Sequence, residues 1–458
     1  MNLNRKISGF VSHLLLVFAL YVIPSSVSAD EFERSKNSAD SLNSVYQLSS
    51  DLIYKNGTGN NLPDLLKLGL RINPSIKESF YNWRAAIDRA SFAGTLPDPV
   101  LSFGYFMERV ETRVGPQRYK IGLRQSLPWF GTLGTKSDVA RSEALASEMN
   151  YESRKQSVTH DIKTVYYELY YLGKLKSLTL ANFEILKFWE SVTQTKYKTA
   201  QVSHHDLIKV QIELGILEDR LIGIDKMIPP VKSNLAALLN SSDISEISIP
   251  DTIYIEDIST EIQFILDRII DGNPALKSIA YGVQKGKAAV RLSGKISMPA
   301  FTIGVDYIET GPALIPSMPE SGKDPLMLNV GMTLPIWFGK NKAVKNQSRA
   351  RLMAEENKLA NARNTLIARV EKILFEYDEA KRKLVLYRDG LIPRAEEALN
   401  VGYAAFQAGQ IDIVSLLDSQ RQLLHFQEVY ERARTDLAIK ISKIEMLMGK
   451  PLTFEEHN

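Results

Sequence analysis

His204, His205 and Asp206 form the chain's one histidine cluster, and imidazole with carboxylate is a donor set suited to a transition metal. Adjacent side chains project in different directions, and no third histidine lies near in sequence, so the triplet reads as an exposed turn. There is no cysteine, which excludes a disulfide framework, a thiolate nucleophile and zinc held by sulfur. No Gly-x-Ser-x-Gly elbow, His-Glu-x-x-His helix or phosphate loop occurs. The carboxylate pairs Glu355/Glu356 and Asp378/Glu379 fall opposite an apolar helical seam, where such pairs are solvated flanks. No catalysis, metal or cofactor is therefore expected. What remains is Asp418, which would attract cations if symmetry repeated it around an axis. Two aromatic pairs also remain, Trp129-Phe130 and Trp337-Phe338, of the kind that favours a membrane–water boundary.

These residues sit inside a unit that occurs twice. Asn73-Pro74-Ser75-Ile76 returns as Asn273-Pro274-Ala275-Leu276, and Pro99 with Gly104 returns as Pro299 with Gly304. Leu127-Pro128-Trp129-Phe130-Gly131 returns as Leu334-Pro335-Ile336-Trp337-Phe338-Gly339, and Tyr197–Val202 returns as Phe406–Ile411. Order is kept, with the offset growing only from 200 to 209 residues. Each copy reads as a helix (Pro74–Ala93; Pro274–Leu292) followed by two strands (Val100–Met107 and Arg118–Leu127; Ala300–Ile308 and Met327–Leu334). The period then changes from 2 to 3.5. Val158, Ile162, Val165, Leu169 and Leu172 alternate spacings of 4 and 3, as do Leu366, Val370, Ile373, Tyr377, Ala380, Leu384 and Tyr387. Gly134–Ala200 has no proline and can run as one helix of about 100 Å. Pro393 interrupts its counterpart. Return helices are expected over Asp206–Asn240 and Ile413–Gly449.

Arg5 and Lys6, the apolar stretch Val11–Ile23 and Val27-Ser28-Ala29 make residues 1–29 a secretory signal peptide. Residues 30–62 read as a polar N-terminal segment, 63–240 as the first repeat, 241–260 as a connector, 261–450 as the second repeat and 451–458 as a tail. Apolar residues make up 44% and charged residues 24%, enough for a large core, while a net charge of +3 leaves no footprint for nucleic acid. No later segment has the apolar length of a spanning helix. The strands, however, have the length a tilted strand needs to cross a bilayer. Four strands cannot close a barrel, and open edges in lipid strand backbone groups at several kcal/mol each, so closure requires sister copies. Three copies would give twelve strands, though the sequence alone leaves the number open. The alternative is an exported coiled-coil protein of structural or adhesive role.

The duplication, the element order and the stretch Tyr403–Gln427 resemble outer-membrane efflux proteins of the TolC family, over nearly everything after residue 62. The Leu-Pro-x-Phe-Gly junctions look closest to its metal- and cation-efflux branch. The resemblance implies a mainly α fold with a transmembrane β-barrel: a homotrimer, a twelve-stranded barrel in outer-membrane lipid and a helical tunnel in the periplasm. It also implies a periplasmic adaptor and an inner-membrane transporter as partners. The family's pore constriction falls on Asp418 and Ser415, so one acidic ring is missing here. Family residues that hold the constriction shut fall on Phe406 and Ile411, with Asp206 and Lys209 as the first-repeat counterparts of Ser415 and Asp418.

Overall fold

A computed structural model describes residues 29–48, 61–241, 243, 247–255, 262–315 and 317–450. The leader up to residue 28, most of the Asn56–Asn61 loop, much of the connector and the tail lie outside the described residues. In chain order the helices are α1 (Ala29–Leu48), α2 (Leu62–Ile72) and α3 (Pro74–Ala93), followed by strands β1 (Val100–Val110) and β2 (Gln117–Leu127). Next come α4 (Thr132–Lys198), α5 (His204–Leu238), α6 (Ile262–Gly272) and α7 (Pro274–Ile296), then β3 (Phe301–Thr310) and β4 (Leu326–Met332). The chain closes with α8 (Phe338–Leu386), a π-turn (Tyr387–Leu391), α9 (Ile392–Gln407) and α10 (Ile413–Met448).

The described chain divides into two compact units. One takes residues 29–39, 81–148 and 278–360, and holds a four-stranded antiparallel sheet in the order β1-β2-β3-β4. The β2–β3 ladder joins one hairpin from each repeat, running from Gln117↔Thr310 to Leu127↔Phe301. Both repeats therefore build a single sheet.

The other unit takes residues 40–80, 149–277 and 361–450, and is helical among the described residues. The seam expected from spacing is its core. Leu366, Val370, Ile373, Tyr377 and Ala380 of α8 are buried with Leu437, Ile444 and Leu447 of α10 and with Ile265 and Ile269 of α6. Val158, Ile162, Leu169 and Leu172 of α4 are likewise buried. Apolar spacing of 3 and 4 keeps these side chains on one helical stripe, and burying such a stripe supplies most of a long helix's stability. Pro393 is not a break within a uniform helix. It lies in the first turn of α9, where its missing N–H costs little, and the π-turn before it absorbs the change of register.

The segment read as polar lead-in is helical over its described residues up to Leu48. In α1, Phe32, Ser35, Ala39 and Tyr46 are buried at heptad-like spacing, but Ser and Ala in the stripe mute its apolar signal. Trp83 Nε1 donates to the Ser35 hydroxyl at 3.1 Å. The Tyr46 hydroxyl bonds that of Tyr151 at 2.9 Å.

The repeated Asn-Pro pairs have a common physical reason. Asn73 Oδ1 accepts the N–H groups of Ser75 at 2.9 Å and Ile76 at 3.3 Å, while its Nδ2 donates to the Leu238 carbonyl at 2.8 Å. Asn273 repeats this: Oδ1 accepts from Leu276 N–H at 2.9 Å and Nδ2 donates to the Leu447 carbonyl at 2.9 Å. Each Asn thus caps the helix it starts and ties that start to the end of its repeat's return helix. Replacing either by Ala is expected to cost about 1–2 kcal/mol, with the Asp variants, which keep the cap but lose the donor, falling between. Thermal melting of the helical circular dichroism signal checks the order.

His160 on α4 is buried and bonded to the Ser442 hydroxyl at 3.0 Å. Burial, together with Lys443, Lys163 and Lys440, pushes its pKa down from 6.5 to about 4. The folded state therefore prefers the neutral ring. That stability is complete above pH about 6.5 and is lost as pH falls toward 4, where the unfolded chain binds the extra proton. The melting temperature should drop across this window, and His160→Gln should flatten the drop.

Candidate functional site

Alternation along the strands sorts the sheet into two faces of opposite character. One face carries Leu101, Phe103, Tyr105, Met107, Ile121, Leu123, Val305, Tyr307, Leu328, Val330 and Met332, all exposed. Rows such as Leu101↔Leu123↔Val305↔Leu328 run apolar across all four strands. The other face is small and polar along its middle, with rows Ser102↔Gly122↔Asp306 and Arg124↔Gly304↔Asn329 that end at the exposed Met327 and Val100. At its centre Lys120 Nζ meets Asp306 at 2.5 Å, and Asn329 Nδ2 donates to the same carboxylate at 2.7 Å. Among the described residues β1 and β4 each pair on one side only, so the sheet ends in two open edges.

The aromatic pairs sit where the sheet gives way to helix. Trp129 stacks on Phe301 with ring centroids 6.1 Å apart and meets Phe130 edge-on at 5.8 Å. Phe130, Trp337 and Phe338 are exposed. The two junctions differ in backbone: Gly131 turns at φ +72° before α4, whereas Gly339 already lies inside α8.

In the helical unit, the ends of α4 and α9 and the beginnings of α5 and α10 share one core. Leu186, Trp189, Val210, Leu217, Ile413, Leu416 and Leu417 pack there around the buried Phe406, and Ile411 packs against them. Phe406 is therefore a core residue. Lys196 Nζ lies 4.8 Å from its ring centroid and donates to the Phe406 and Gln407 carbonyls at 3.0 and 3.1 Å, closing the C-terminus of α9. Asp206 is a capping residue, its carboxylate accepting the Ser203 N–H at 2.9 Å in a capping box. Lys209 is exposed on α5. The His204 ring lies 5.3 Å from that of Tyr197, and His205 is exposed; among the described residues no group of three or more potential metal ligands is gathered.

Ser415 and Asp418 share the exposed face of α10. Asp412 caps that helix by accepting the Ser415 N–H at 2.9 Å, and bonds from Ser415 hold its carboxyl below the usual range. Asp418 is not alone. Arg421 donates to it at 2.7 Å and at the same time grips Glu213 on α5, with contacts of 2.5 and 2.9 Å. Glu213 is buried, with a side chain 7% exposed, while Asp418 remains 64% exposed. Sequence reasoning missed Glu213 and Arg421. Their only signal was an acid within the apolar stripe Val210, Leu214, Leu217 of α5.

The profile of the outer membrane efflux protein family matches residues 265–450. No curated protein matches the sequence. Among solved structures the chain is similar to the outer membrane protein VceC from Vibrio cholerae, with TM-score 0.73 at 15% identity over 86% of this chain and 97% of that one. A membrane protein from Pseudomonas aeruginosa aligns at TM-score 0.73 and 17% identity, over 85% and 90% of the two chains. The MtrE outer membrane channel of Neisseria gonorrhoeae, in its open state, aligns at TM-score 0.69 and 16% identity, over 86% and 89%. The sheet and helices described above are thus the fold of outer-membrane channels, as the sequence resemblance implied.

Arg421→Ala would leave the Glu213 carboxylate buried without its cation. The expected loss is about 1–3 kcal/mol, read as a lower helical melting midpoint. Adding Glu213→Gln should recover part of it, because a neutral amide is cheaper to bury.

Proposed function

We infer, from a chain whose residues 265–450 match the profile of the outer membrane efflux protein family and whose fold is that of solved outer-membrane channels, that this protein is the exit duct of a tripartite efflux system. The observation that carries the reading is the two-faced sheet with its open edges. A large exposed apolar surface beside a polar one is what a strand needs when lipid lies on one side and water on the other. No helix among the described residues is long and apolar enough to cross a membrane, so a crossing by this chain falls to the strands. Unpaired edges in hydrocarbon are closed by sister copies, and three chains of four strands make a twelve-stranded barrel.

The chain is placed in the outer membrane, with its helical unit in the periplasm. Trp129, Phe130, Trp337 and Phe338 mark the lipid boundary on the side where the sheet becomes helix. The α5 and α10 starts form the constriction, where Asp418 and Ser415 line the pore and Asp206, Lys209, Phe406 and Ile411 neighbour it. Phe406 and Ile411 hold the constriction by packing, and Arg421 holds it by bridging α10 to the buried Glu213. A periplasmic adaptor and an inner-membrane transporter deliver the cargo, and the duct itself is passive and needs no cofactor.

The processed protein extracted in mild detergent should migrate as a trimer and, in planar bilayers, should conduct ions. Asp418→Ala should lower its preference for cations. A water-soluble monomer without conductance would end this reading.

A further inference from the structure

At the centre of the sheet's polar face, the charge that reaches the surface is positive. Asp306 in β3 lies at its centre with a side chain 1% exposed. Above it stand Lys120, 29% exposed, and Arg124, 42% exposed, both from β2. Lys120 and Asn329 hydrogen-bond one carboxylate oxygen; the other, Oδ1, receives no hydrogen bond and faces the Arg124 guanidinium at 3.6 Å. A single buried acid thus answers two cations that face water.

Glycine makes the arrangement fit. A Cβ on Gly122, directly across from Asp306, would run into the carboxylate. A Cβ on Gly304 would stand 2.8 Å from Arg124 Cγ. With hydrogen at both positions the two side chains lie flat along the wall instead of rising from it. Arg118, the next cation on β2, does not add to the excess, since Glu309 pairs with it at 3.2 Å.

We propose that Lys120, Arg124 and Asp306 form an anion-favouring girdle on the inner wall of the outer-membrane barrel. The inference rests on the channel reading above, because it is barrel closure with the apolar face outward that makes the polar face a lumen. Symmetry then repeats the exposed cations around the pore while every compensating carboxylate stays beneath them. Rings of Lys and Arg select anions, and low-dielectric walls focus their field on the ions that pass. The ligands are small hydrated anions, including carboxylate or phosphate groups on a passing solute. The girdle shares no residue with the Asp418–Arg421 pair of the helical unit.

The test is the reversal potential of the purified protein in planar bilayers under a KCl gradient, with each variant compared to the wild type. Lys120→Gln and Arg124→Gln should each raise the potassium-to-chloride permeability ratio, and the double variant should raise it several-fold. Asp306→Asn should lower it, which keeps the test decidable if a neutralised variant fails to assemble. An unchanged ratio in the double variant, or in Asp306→Asn, overturns the girdle while leaving the channel intact. Absence of any conductance from the wild type would instead overturn the channel reading, and the girdle with it.

Discussion

In hydrocarbon there is no water to receive an unpaired N–H or C=O, and each such group costs several kcal/mol. The sheet described here ends in two one-sided strands, β1 and β4, and has one exposed apolar face. Those facts cannot coexist in a lone chain at a membrane. The proposed assembly, its polar lumen and its aromatic boundary are what removing those edges would require. The β2–β3 ladder already joins the hairpins of the two repeats within the chain, and pairing of β1 with β4 between copies would repeat that solution in the proposed barrel.

Duplication supplies the parts, but the copies have diverged where their duties differ. Asn73 and Asn273 keep the same cap and the same tie to their repeat's return helix, because any helix restart beside another helix's end leaves groups to satisfy. The long helices have not stayed alike. α4 runs unbroken from Thr132 to Lys198, whereas its counterpart is cut into α8 and α9 by a π-turn ahead of Pro393. The strand-to-helix junctions diverge as well, one turning at Gly131 in a left-handed conformation and the other entering α8 directly.

Much of this was legible in the sequence, and the reason is periodicity. Strands alternate with period 2 and long seams with 3.5, so the hairpins and the stripe Leu366–Ala380 could be read from spacing alone. α1 escaped because its buried positions include Ser35 and Ala39, which pack well against neighbours yet carry little apolar signal. The Arg421–Glu213 bridge escaped for a different reason: its partners lie 208 positions apart, and nothing local tells which of many acids a given Arg will meet. The family resemblance located Asp418 on the chain but not the guanidinium that accompanies it.

The chain is close to neutral overall, and composition alone would assign it no preference. What a passing ion meets is set by which member of each pair faces water. In the helical unit Arg421 is shared between a buried Glu213 and an exposed Asp418 and is itself half exposed, so both signs reach the surface there. In the sheet Asp306 is covered, and Lys120 and Arg124 remain. Burial costs a charge its hydration unless a partner replaces it, so each buried acid fixes an Arg beside it and thereby fixes what is left exposed. A near-neutral chain can in this way present a local excess of one sign, through side-chain burial alone.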